Sequence, residues 1–222
     1  NRMKDYTFIS SKEMDIIASI ILNDANITTI WDGYVHKIDI DSLIEFEFDL
    51  NIVWTNIDYL DEGSTVFAAI KPKIKTIYMN EAKKELFEEK IGTMNFTKAH
   101  ELGHWVLHVT KQQGYEQLSF SPNEIYHCRS SSTRHPEETQ ADMFAASLLM
   151  PKDIVIGAIN DIKKKGYVKF IELYKLADQF EVSISALTNR ISSLKLLYFK
   201  DKKVYLSEDD ITGQMSLFEA EY

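Results

Sequence analysis

The chain has 222 residues, enough for one moderate domain or a main domain with a small appendage; 45% are hydrophobic and 12% aromatic, so a sizeable core can form and wholesale disorder is excluded. A formal charge of -9 argues against a protein that coats nucleic acid non-specifically, because such binding needs cations to neutralise phosphates. Cys128 is the single cysteine, which rules out an intramolecular disulfide and a Cys-rich structural metal site and fits a reducing compartment.

Ser10-Ser11-Lys12-Glu13 has the spacing of a capping box, and Met14, Ile17, Ala18, Ile21 and Leu22 follow at helical intervals, which predicts an amphipathic helix to about residue 23. The apolar run at 16–22 is too short to span a bilayer, and no signal peptide is read before it. A soluble cytoplasmic protein with no membrane partner is expected. Residues 39–50 read as a second helix, although Phe46 and Phe48 also alternate as in a strand. From Ile52 the texture turns β-prone: strands are predicted at 52–54, 65–70 and 75–79, the last two joined through Lys71-Pro72-Lys73 as a hairpin. Residues 81–90 read as a charged helix and 96–109 as another.

Residues 111–135 lack a clear period, and a connection this long in a compact domain is more often functional than idle. Pro136 stands at the start of a helix that runs through Glu138 and Phe144 to Met150 and is stopped by Pro151. A short helix near 153–160, two helices near 170–180 and 185–196, a brief strand at 204–206 and an acidic tail from Glu208 complete the chain.

The chemistry concentrates in His100-Glu101-Leu102-Gly103-His104. Two histidines four residues apart on a helix point the same way and can reach one ion, while the intervening glutamate can act on a water without being a ligand. With His100 at zero, His104 falls at about 40°, His108 at about 80° and Glu101 at about 100°, whereas Phe96, Ala99, Leu102, Val106 and Leu107 occupy the opposite arc. One face is ionisable and the other apolar, as a core helix bordering a cleft requires. Gly103 costs about 1 kcal/mol against alanine inside a helix, and close packing of a neighbouring element is the expected reason.

A catalytic zinc site needs a third protein ligand and an open position. A metzincin would carry histidine where this chain has Thr110, so that class is excluded. Glu138 and Asp142 lie one turn apart on one face, with Glu137 about 100° away. Glu138 can bind metal while Asp142 accepts the second ring N–H of a ligating histidine. Taken alone, Glu138 is better read as a solvated charge favoured by the helix macrodipole.

Two blocks carry a resemblance. Phe96-Thr-Lys-Ala-His100-Glu-Leu-Gly-His104-Trp-Val-Leu-His108 resembles the motif helix of the ImmA/IrrE family of metallopeptidases, and Glu138-Thr-Gln-Ala-Asp142-Met-Phe-Ala-Ala-Ser-Leu-Leu-Met-Pro151 resembles its second signature. The resemblance implies a gluzincin-like site with His100, His104 and Glu138 on Zn2+ and Glu101 as the base. It also implies a helix-turn-helix-like segment after the peptidase domain. The protein partner it implies is a helix-turn-helix repressor encoded nearby, whose cleavage relieves repression of a mobile element or stress regulon.

Leu173, Leu176, Ala177 and Phe180, then Val182-Ser183, then Leu187, Ile191 and Leu194 fit such a helix pair. Residues 161–203 hold ten Lys and Arg against five Asp and Glu, so this stretch is basic within an acidic chain and could meet DNA or an acidic face of a repressor. Two packed helices with solvated lysines are an equal reading, and DNA is not the favoured partner. Tyr126, His127, Arg129, Arg134 and His135 are candidates for stabilising an oxyanion by position alone, and none is assigned. His108 is expected beside the cleft, Cys128 as a small buried residue, and one strand of the 65–79 hairpin at the cleft edge, where an extended peptide could pair with it.

The expected fold class is α+β: a zincin-like domain over 1–160 with a small mixed or antiparallel sheet, a helical helix-turn-helix-like segment over 161–203, and a short strand with an acidic tail over 204–222. The expected function is zinc-dependent cleavage of a repressor. The alternative is a regulatory protein that grips a repressor or DNA without cutting, its metal structural.

Overall fold

The structure, a computed structural model, describes residues 8–61, 65–109, 126–129, 136–165, 168–201 and 203–212. Helix α1, Ser11–Asp24, begins in the predicted capping box: Ser10 Oγ accepts from the Glu13 amide at 3.3 Å while Glu13 Oε2 accepts from the Ser10 amide at 2.8 Å. Its inner face buries Met14, Asp15, Ala18 and Leu22.

The second expected helix is shorter and distorted. Helix α2, Ile40–Ser42, is capped by Asp39 and widens into a π turn at Leu43–Glu47. Asp49 takes a left-handed φ of 52° and redirects the chain into strand β1, Asn51–Thr55. Strands β2, Val66–Lys71, and β3, Thr76–Asn80, form the predicted antiparallel hairpin around Pro72–Ile74, with Lys75 left-handed at φ 48°.

The sheet is mixed, in the order β1-β3-β2-β4, with β1 parallel to β3 and β4, Tyr126–Arg129, antiparallel to β2. This corrects the expected edge position of the hairpin. Both hairpin strands lie inside the sheet, and the outer strands among the described residues are β1 and β4. The reason is non-local: β4 comes from a stretch with no visible alternation, yet it pairs with the outer side of β2.

After helix α3, Lys84–Glu89, helix α4 runs over Ile91–His104 and passes into a π turn at Trp105–Val109. It starts earlier than residue 96, with Gly92 against the backbone of Val182 and Ser183, where a side chain would overlap. Helix α5, Pro136–Leu149, stops ahead of Pro151, and α6 follows at Lys152–Lys163. Helices α7, Phe170–Phe180, and α8, Ile184–Ser193, are joined by a tight turn in which Glu181 is left-handed and Ser183 caps α8. Strand β6, Lys203–Tyr205, fits the predicted strand, while its partner β5, Tyr198–Lys200, was not anticipated; helix α9, Glu208–Thr212, closes the described chain.

The elements form the expected α+β arrangement with a mixed sheet. Met14 and Leu22 of α1, Ile70 and Ile77 of the sheet, Leu102 of α4, Phe144 of α5 and Phe180 and Leu187 near the end of the chain share one buried apolar cluster. Burying a side chain of this kind contributes about 1.5–3 kcal/mol each, which is what fixes α4 and α5 against each other and against the sheet. Among the described residues, no helix is long and apolar enough to cross a membrane.

Candidate metal centre

Helices α4 and α5 meet at Gly103. A Cβ there would stand 3.1 Å from both the Ala141 Cα and Phe144 Cδ1, so the glycine permits the close approach expected of it. That approach brings His100 and His104 on α4 face to face with Glu138 and Asp142 on α5.

Three donor atoms converge. His100 Nε2 and His104 Nε2 are 3.1 Å apart, and the Glu138 carboxylate lies 3.2 Å from the first and 3.4 Å from the second. Zinc with ligand distances of about 2.0–2.1 Å sets tetrahedral ligand atoms about 3.3–3.4 Å apart, so this triangle has the size that such an ion requires. The donor set, two imidazoles and a carboxylate, suits a divalent transition metal.

Asp142 Oδ1 lies 2.9 Å from His100 Nδ1, on the far side of the ring from the triangle. A proton on Nδ1 donated to Asp142 leaves the Nε2 lone pair facing His104 and Glu138. Both histidine side chains are almost fully buried, while Glu138 is a quarter exposed, so the cluster opens to solvent on the carboxylate side.

Without metal, the electrostatics are those of a coupled acid–base cluster. Burial opposes a charge on His100, but hydrogen bonds to Asp142 and Glu138 and the nearby charge of Glu101 outweigh it and push the imidazole up to about 10. Burial, reinforced by the charge of His100, holds His104 below its ordinary value despite Glu138. Burial alone would raise Glu138, but its contacts to the two histidines hold it well below the usual carboxylate range.

Glu101 is fully buried, one residue from His100 and outside the converging donor set. His108 is also buried, with its ring 5.6 Å from that of His104 at 45°, and it supplies no atom to the triangle. Glu137 lies outside the donor set as well. Arg134 and His135 fall outside the described residues, as do the side chains of Tyr126, His127, Cys128 and Arg129, although β4 carries the backbone of those four.

Sequence reasoning missed the support beneath the site. Asp15 on α1 accepts from Arg190 Nη2 at 2.6 Å and from Ser147 Oγ at 3.0 Å, and Arg190 Nε donates to the Met150 carbonyl at 3.1 Å. This buried network ties α1, α8 and the end of α5 together. The signals were an acid on the inner face of α1 and one arginine in a helix with no other charged residue, and neither names its partner.

A family model described as Peptidase_M78, IrrE N-terminal-like domain, matches residues 73–192. The match covers more than half of the 222 residues and includes both blocks that carry the converging donors. No curated protein matches the chain.

Proposed function

The chain belongs to the IrrE N-terminal-like family of M78 peptidases and is thus a metallopeptidase of the ImmA/IrrE type, and from that premise we propose that it is a zinc endopeptidase whose substrate is a helix-turn-helix repressor. The observation that carries the chemical part of this reading is the convergence of His100, His104 and Glu138 in a triangle of zinc-ligand size.

In this reading His100, His104 and Glu138 hold the metal, and Asp142 fixes the His100 ring by accepting its Nδ1–H. Bound zinc supplies Lewis acidity, lowering the pKa of a water to about 7 and polarising the scissile carbonyl. The Glu101 carboxylate takes the proton of the attacking water and returns it to the leaving amine nitrogen. Residues 1–160 carry this chemistry, and 161–203 form an appended helical pair of helix-turn-helix type.

The test incubates the zinc-loaded chain with a co-encoded helix-turn-helix repressor beside Glu101→Gln. The native chain is expected to cut the repressor, and the variant to bind zinc equally while cutting about 100–10,000-fold more slowly. Equal relief of repression by both proteins would instead establish the non-cleaving regulator.

A further inference from the structure

A cavity of about 200 Å3 lies on the face of the sheet turned away from α4. Its wall is formed by Thr55 of β1, Lys71 of β2, Tyr78 of β3, and Ile57, Tyr59 and Leu60 from the segment that follows β1. We propose that this pocket binds a carboxylate borne on a short apolar stem, with Lys71 and the hydroxyls of Tyr59 and Tyr78 around the charge and Ile57 and Leu60 against the stem.

Strand register assembles the pocket. Val53, Tyr78 and Ala69 stand opposite one another on β1, β3 and β2, and Thr55 and Lys71 lie two residues further along on the same face. Ile70, Ile77 and Met79 belong to the other face and join the apolar cluster that holds Leu102 of α4, whereas Ile57, Val66 and Ala69 form a separate buried cluster with Leu60 and Tyr78 packed on it. The chain leaving β1 folds over this second cluster in a single 3-10 turn, Asp58–Leu60. Asn80 pins that turn, its Nδ2 donating to Asp58 Oδ1 and to the Val66 carbonyl, each at 2.7 Å. Tyr59 and Leu60 are thereby held beside Lys71 and Tyr78, and the carboxylate of Asp58 is engaged with Asn80.

The donors point to an anion. Among the described residues, the Lys71 amine and the hydroxyls of Thr55, Tyr59 and Tyr78 have no hydrogen-bond or ion-pair partner, and the wall holds no acid. Lys75, across the turn of the same hairpin, shows the alternative, since it is paired with Asp49 at 2.8 Å. An ammonium and two phenols can donate together to the two oxygens of one carboxylate, and such charge-assisted bonds are stronger than neutral ones.

Charge and size narrow the class. One cation balances one negative charge, whereas a phosphate group brings about 1.5–2. The volume lies below the range of about 300–1,000 Å3 typical of sites for drug-sized molecules, so it suits a single short group. Ile57, which is buried, and Leu60 give the pocket an apolar side that a bare inorganic ion would not use. A free short-chain organic acid and the C-terminal residue of a polypeptide both carry such a carboxylate and present the same atoms to Lys71. The sheet separates this pocket from the helix that bears His100 and His104, so its occupancy does not depend on metal.

The experiment uses the zinc-loaded full chain, labelled at isoleucine and leucine methyls and titrated by NMR with isovalerate, isovaleramide and inorganic phosphate. Isovalerate is expected to shift the Ile57 and Leu60 methyls saturably with a Kd of about 1–10 mM, and the neutral amide and phosphate to bind at least about tenfold more weakly. Lys71→Met should weaken isovalerate about tenfold while leaving isovaleramide unchanged, Lys71→Arg should retain binding, and Lys73→Met, outside the wall, should behave as native. Tyr59 is 75% exposed, so Tyr59→Phe leaves the core intact and should weaken isovalerate about threefold. Acetyl-Gly-Gly-Leu with a free C-terminus separates the two sources: binding about tenfold tighter than isovalerate, or more, identifies a chain end, and weaker binding a free acid. The chelated chain should give the same isovalerate affinity. Absence of a saturable shift with isovalerate, equal binding of the amide, or an unchanged affinity in Lys71→Met would each overturn the proposal. So would a response that requires zinc, which would mark a carboxylate on the metal.

Discussion

Asp142 Oδ1 stands 2.9 Å from His100 Nδ1, on the opposite side of the ring from the atom that meets His104 and Glu138. In the proposed metal centre, this contact would orient the His100 ring and keep a proton on Nδ1. Replacing Asp142 by alanine is expected to weaken zinc binding by about 10–100-fold, with Asp142→Asn intermediate because the amide oxygen can still accept the Nδ1–H. A competition titration against a chromophoric chelator measures this, and an unchanged affinity in Asp142→Ala would refute it.

Gly103→Ala should separate stability from metal binding. The added methyl meets Ala141 and Phe144 at 3.1 Å, so α5 must give by a few tenths of an ångström. Overpacking costs about 1–3 kcal/mol, and the gain in helix propensity offsets about 1 kcal/mol of it. Stability therefore falls modestly, whereas zinc affinity falls by about tenfold or more because the displacement acts directly on the Glu138 position. Denaturant unfolding of the chelated variant and a zinc titration, run together, distinguish the two effects.

The Asp15–Arg190 pair is almost wholly buried at 2.6 Å, and breaking it leaves a charge without compensation. Arg190→Met is expected to destabilise the chain by about 3–5 kcal/mol. The double variant Asp15→Leu with Arg190→Met should recover most of that loss, since no isolated charge is left. If the double variant were as unstable as the single one, the network would owe its value to its hydrogen bonds with Ser147 and Met150.

The metal-free and metal-loaded chains should respond oppositely to pH. His100 rises from its ordinary 6.5 to about 10 in the folded cluster, so its contribution to stability is complete below 6.5 and is lost as pH rises through about 10. Glu138 is depressed, so its contribution is present above its ordinary 4.5 and is lost as pH falls through its folded value. The chelated protein should therefore melt at progressively lower temperature from about pH 7 to pH 10. Zinc affinity rises over the same interval, because binding must displace the His100 proton. Thermal melts with chelator and with zinc across that interval check both signs.

The local pieces of this fold were readable because short-range rules govern them. Ser10 and Glu13 form the capping box that their spacing predicts, Phe170–Phe180 is the helix its apolar period describes, and Gly103 marks a close helix contact. The donors His100 and His104 were legible for the same reason, since an interval of four residues fixes their common face. Glu138 was legible only through resemblance: an acid at a helix N-terminus has an ordinary electrostatic explanation, and nothing near it in the chain points to residue 100.

By itself, then, the sequence determined most of the longer helices, the hairpin, the pair of histidines and the face they share, because these depend on intervals within one turn or one strand; the helix expected over 39–50 is instead a single short turn that widens into a π turn. Tertiary structure decided the rest. It put β4 beside β2 so that neither hairpin strand is an edge, joined Asp15 to Arg190 across 175 positions, and seated the turn before α8 on α4 at Gly92. Such pairings are selected by the total apolar area and the polar bonds that can be satisfied at once in a packed interior, and no local interval encodes that choice.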